Sequence, residues 1–177
     1  MRSQRGVALL AGVAYLLVGC SGSTKASPDT TTQATNLVSP QEIGVTTYEV
    51  IGDDHVEGTV TYPVYPPVGG DHAAKWITCR VYTVPVADEM AVHSLEHGAA
   101  WILYNADLSA EQIAQLAALK GPFVLISPAP VGKLNDAVVA SGWGLQKRFA
   151  TFDLPGVTEF VKNYANGPQT PEKGASC

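Results

Sequence analysis

Four histidines fall between positions 55 and 97, and two of them, His93 and His97, stand four apart with Glu96 between them. On a helix, residues i and i+4 share a face, so both imidazoles can converge on one small object. A neutral imidazole nitrogen is the commonest metal ligand and suits zinc, copper and nickel. A useful site needs three or four donors from different segments. His93 and His97, with His72 from a stiff loop and His55 as a fourth, supply that number. Met90, three residues before His93, would add a thioether, a soft donor that favours copper over zinc. Glu96 suits a partner that fixes a ring tautomer, or an outright ligand with zinc. The expected cofactor is a copper or zinc ion held by His72, His93, His97, His55 and Met90, for capture, buffering or delivery.

Two other readings compete with it. His-x-x-Glu-His matches the pattern in which both histidines bind zinc and the glutamate between them activates water. Glu96 would then be the catalytic base of a zinc-dependent hydrolase, with Glu159 the candidate third ligand. Against an enzyme, Gly98 ends the helix at once, and the chain is short for one with a substrate cleft. Ser94 and Ser127 lack a nucleophile-elbow pattern, and no phosphate-binding glycine loop is present. The remaining reading is a metal-free interaction module whose histidines are structural, bonded to backbone carbonyls near a helix C-terminus. The three tryptophans are read as core and sheet residues, while Tyr62 and Tyr65 are placed to rim a pocket near His72.

The elements that must position these residues follow from patterning. Gly98 closes a short helical turn over residues 90–98, and the apolar run 99–104 is a buried strand. Upstream, residues 47–51, 59–62 and 76–84 read as strands, the last with Ile77, Cys79 and Val81 on one face. Between them, Pro66-Pro67 and Gly69-Gly70 exclude regular structure from the loop that delivers His72. Downstream, Ser109 and Gln112 form a capping-box pattern before a helical stripe that Gly121-Pro122 stops. Residues 123–127 are another buried strand, and 138–140 with 143–152 give one or two more. A last helix runs from about Asp153 with Val157, Phe160, Val161 and Tyr164 at helical spacing. The fold class is α+β: a mixed β-sheet with two amphipathic helices and a loop-rich N-terminal part carrying the histidines.

The first 19 residues stand apart from this domain. Arg2 and Arg5 precede an apolar stretch too short to span a bilayer, which ends in Leu17-Val18-Gly19-Cys20. This is a lipoprotein signal peptide over 1–19, with acylation, as by palmitate, at Cys20. The expected location is the cell membrane, lipid-anchored on its extracytoplasmic face. Residues 20–41 form a flexible Ser/Thr-rich tether, and 42–177 a single globular domain. The whole chain is 46% hydrophobic and 15% charged, as a foldable domain requires. Without residues 1–19 it carries 9 Lys and Arg against 16 Asp and Glu, a balance of −7. That excess argues against nucleic acid as a partner. The expected partners are the membrane, through Cys20, and a metal-handling protein. Cys79 and Cys177 remain as an even pair outside the cytoplasm and are expected to form a disulfide.

Pro66-Pro67-x-x-Gly70-x-His72, together with His93-Ser94-Leu95-Glu96-His97-Gly98, resembles a family of bacterial, largely actinobacterial, exported proteins: domain of unknown function 3105. The resemblance covers residues 42–177, including the closing Gly167-Pro168-Gln169-Thr170-Pro171-Glu172 tail and the last cysteine. Its specific part is the Ser94–Gly98 run with Tyr104 after it. Gly69 and Asp71 depart from the serine and proline usual in the family's loop. The resemblance implies a fold and a histidine set, and no activity.

Overall fold

Residues 100–104 are apolar without alternation, the mark of a strand covered on both faces. In the computed structural model, which describes residues 44–177, this strand lies inside a five-stranded sheet. The signal segment, the tether and Cys20 lie outside the described residues. The strands are β1 (Val45–Thr47), β2 (Ala100–Tyr104), β3 (Val124–Pro128), β4 (Val138–Gly142) and β5 (Leu145–Phe149). Their spatial order is β1-β5-β4-β2-β3, with β2 and β3 parallel and every other pair antiparallel. Three helices complete the α+β fold: α1 (Asp88–Glu96), α2 (Ala110–Ala117) and α3 (Leu154–Tyr164).

Side chains on a strand alternate between faces, and each face here has its own core. Ala100, Ile102 and Tyr104 join Val124, Ile126, Val138 and Ala140 under Leu116 of α2 and Val157 and Phe160 of α3. Trp101, Leu103, Leu125 and Val139 point the other way, against Ala91 and Leu95 of α1. That second face is closed by Tyr65, Ile77, Cys79, Tyr82 and Val86 from the loop-rich segment before α1. The histidine-bearing part of the chain is thus a lid over one sheet face.

Local signals explain most boundaries. Ser109 Oγ accepts from Gln112 N at 3.2 Å while Gln112 Oε1 accepts from Ser109 N at 3.0 Å, the reciprocal cap expected for α2. Asp153 accepts from Gly156 N at 3.1 Å and starts α3, with Pro155 in its first turn. Trp143 and Gly144 form the two-residue turn between β4 and β5, where Gly144 takes φ +68°.

The three upstream strand expectations fail for a common reason: their backbone groups are bonded elsewhere. The first strand covers only Val45–Thr47, because Thr47 pairs with Leu145, the first residue of β5. Beyond it Tyr48 N finds only the turn carbonyl of Gly144, at 2.8 Å. In the 59–62 run, Val60 N donates to the Glu89 carboxylate at 3.0 Å instead of to a strand. The 76–84 run reduces to one bridge, Val81 with Ile126 on the free edge of β3. There the Ser94 hydroxyl takes both polar groups of Ile77, accepting from its N–H at 3.1 Å and donating to its carbonyl at 2.6 Å. Finally, α1 is nine residues long, starting two residues before Met90, rather than a single turn.

Candidate metal centre

The end of α1 fixes the geometry of the cluster. Ala99 N donates to Ser94 O at 2.8 Å and Gly98 N to Leu95 O at 3.0 Å, with Gly98 at φ +109°. This pair of bonds terminates a helix through a left-handed glycine. A Cβ on Gly98 would also stand 3.1 Å from Asn166 Cα, so the tail after α3 presses directly on the turn. Ala91 and Leu95 are drawn into the core, which leaves His93, Glu96 and His97 together on the opposite stripe of the helix.

The loop histidines arrive through a bridge of two hydrogen bonds. His72 N donates to Asp54 O at 3.0 Å and Val56 N to His72 O at 2.8 Å, so His55 and His72 sit side by side. The His55 ring stacks on His93 with centroids 4.8 Å apart, and meets His72 edge-on at 5.0 Å. One ligand atom each from His55, His72, His93 and Glu96 lies within 4.8 Å of the others. Glu96, His97 and Glu172 form a second such group. Of these six residues His55 and Glu172 are exposed; the rest are buried.

The hydrogen bonds set the tautomers. His72 Nδ1 donates to Gly70 O at 2.8 Å, His93 Nδ1 to Ala73 O at 2.7 Å, and His97 Nδ1 to Ser176 O at 2.5 Å. A carbonyl only accepts, so each neutral ring carries its proton on Nδ1 and a lone pair on Nε2. Those lone pairs face other acceptors. His72 Nε2 lies 3.2 Å from Glu96 Oε2, fully buried and without a hydrogen-bond partner among the described residues. His93 Nε2 lies 2.9 Å from His97 Nε2, which is itself 3.3 Å from Glu172 Oε2. Acceptors crowded this way require a shared proton or a cation between them. Burial holds the His93 ring below the ordinary histidine range, its bond to Ala73 O opposes this, and His97, His72 and His55 lower it further. The net shift favours the neutral ring, the form that binds metals.

The predicted site residues sort as follows. His55, His72 and His93 converge as expected. His97 does not join that group but the second one, while Glu96 belongs to both. Met90 is half-buried on α1. Glu159 is exposed on α3 beside Asp153, Lys147 and Lys162 and is in neither donor group. Tyr62 lines an open groove of about 560 Å³ with Val50, Val68 and Asp71, and its hydroxyl donates to Asp71 O at 2.9 Å. Tyr65 instead packs against the core. Trp76 is no core residue: it is 41% exposed and its ring stands 5.8 and 5.3 Å from those of His93 and His97. Sequence reasoning missed this contact, and it missed Glu172 as a donor. Glu172 stood in the quoted tail motif, but no spacing rule links it to a helix so far upstream.

The tail is tied down twice. Glu172 N donates to Glu96 O at 3.1 Å, capping a carbonyl at the end of α1. Cys177 is disulfide-bonded to Cys79, as expected, with their Cα atoms 5.1 Å apart.

An α+β domain carrying buried histidine and glutamate groups that could hold a metal ion is the class this structure defines. A family model described as a protein of unknown function (DUF3105) matches residues 55–177, and the chain belongs to that family. No curated protein and no solved structure matches it.

Proposed function

We propose that the chain is a lipid-anchored extracytoplasmic protein that binds a divalent transition metal, copper or zinc, for capture, buffering or delivery. The observation that carries this reading is His72 Nε2: a fully buried nitrogen, without a hydrogen-bond partner among the described residues, aimed at a carboxylate and beside two more imidazoles. Leaving such an atom unpaired costs about 1–3 kcal/mol, which a metal bond would recover. Three imidazoles and a carboxylate suit Cu(II) and Zn(II), and the Irving–Williams order places copper above zinc. A contribution from Met90 would favour copper over zinc, since a thioether is a soft donor.

Titrating Cu(II) or Zn(II) into the metal-free protein while recording melting curves tests the proposal. Bound metal should raise Tm at pH 7–8, by mass action on the folded state. The rise should shrink as pH falls from 7 to 5, since protons compete for the same Nε2 lone pairs. No metal-dependent rise at any pH in that range refutes the reading and leaves the interaction module with structural histidines.

One observation favours the hydrolase as a second reading. Glu172, 3.3 Å from His97 Nε2, supplies the later carboxylate that Glu159 does not. In that case Glu96→Gln keeps the metal and abolishes turnover; in the binding protein it loses metal.

Anchoring rests on the sequence around Cys20. Cys20→Ala should abolish lipid labelling and release the mature protein from the membrane fraction or leave its precursor uncleaved. Unchanged labelling and partitioning would remove this part of the proposal.

A further inference from the structure

The geometry points to a two-cation centre in which the Glu96 carboxylate is shared between neighbouring metal positions. This inference rests on the metal-binding reading above and adds a second position with its own donors.

Glu96 alone belongs to both donor groups. A carboxylate has two oxygens with about four lone-pair sites, so it can hold one cation on each. The first position has His55, His72 and His93; the second has His97 and Glu172. Their proximity is direct, since His93 Nε2 and His97 Nε2 are 2.9 Å apart. Metal pairs bridged in this way stand about 3.5–4 Å from one another. A single cation among the first group would leave the 3.3 Å approach of His97 Nε2 to Glu172 Oε2 to be bridged by a proton on the imidazole. A second cation takes that proton's place with two bonds, and the negative bridge offsets the repulsion between the metals.

The two positions differ in chemistry. Three imidazoles and one carboxylate make the first nitrogen-rich and favour copper or zinc. One imidazole and two carboxylates make the second harder, open to zinc, manganese or ferrous iron. It also has three donors against four, and its Glu172 side chain is 58% exposed. The second ion should therefore bind more weakly and exchange faster.

Stoichiometry decides the matter. The full chain, purified in detergent and stripped of metal, is titrated with Zn(II) by calorimetry, and bound zinc per chain is measured after gel filtration. Two ions in separable steps are expected for the parent, and one for Glu172→Gln and His97→Gln, with the tighter step retained. One ion in the parent, or two in Glu172→Gln, overturns this inference and leaves the binding function standing. No ion in the parent overturns both. Independently of any variant, the parent loaded with two equivalents of Cu(II) should give a magnetically coupled resonance spectrum. Two uncoupled copper signals would refute the shared carboxylate.

Discussion

His93→Ala is expected to weaken the proposed Cu(II) or Zn(II) binding by more than about a hundredfold, while removal of a residue that only orients a ligand typically costs about 10–100-fold. The expectation follows from where its ring stands. His93 contacts His55 by stacking, His72 edge-on and His97 through facing Nε2 atoms, so it is the contact common to all the other imidazoles. Glu96→Gln should lose affinity to a similar degree, because its carboxylate lies 3.2 Å from His72 Nε2 and belongs to both donor groups. His55→Ala should cost less, as that residue is exposed to solvent. Calorimetric affinities for the three variants test the ranking, with melting curves of the metal-free proteins as a check on folding. Affinity in His93→Ala equal to that of the parent would remove this residue from the site.

Reducing the Cys79–Cys177 bond, or replacing Cys177 with serine, is expected to cost stability and metal affinity together. Cys79 and Cys177 are separated by 98 positions. In the chain-entropy model, closing such a loop contributes roughly 3–5 kcal/mol, with measured values often lower. The denaturation midpoint should therefore fall on reduction, and the slope against denaturant should rise, because the unfolded chain without the bond exposes more surface. The affinity effect has a local origin: Ser176 O fixes His97 through Nδ1, and Glu172 lies on the same tail. An unchanged midpoint would show that the tail is held without the bond. Unchanged metal affinity would show that His97 is oriented without Ser176.

Much of the sheet and one half of the site were legible because their signals are local. The apolar runs of β2 and β3, the Ser109 cap and the i, i+3, i+4 stripe of α3 each declare an element without help from distant residues. His93, Glu96 and His97 were readable in the same way, since helical spacing alone puts them on one face. The upstream strands were not, because Val60 and Ile77 give their backbone groups to Glu89 and Ser94, partners 29 and 17 positions away. Local β-propensity cannot report that competition. The grouping of His97 with Glu172 depends on the tail returning to the end of α1, through Asn166 N bonded to Gly98 O at 2.7 Å and the terminal disulfide. No periodicity in the sequence carries that return.

The tail's place in the cluster has a consequence for the order of events during synthesis. His55, His72, His93 and Glu96 all leave the ribosome well before Glu172, Ser176 and Cys177. An emerging chain therefore holds the four earlier residues while Glu172 and the carbonyl that bonds His97 are still to come. The first group is complete in a nascent chain, and the second only after residue 172 has followed. The Cys79–Cys177 bond comes later still, and it converts a tail that could leave the helix end into one that cannot.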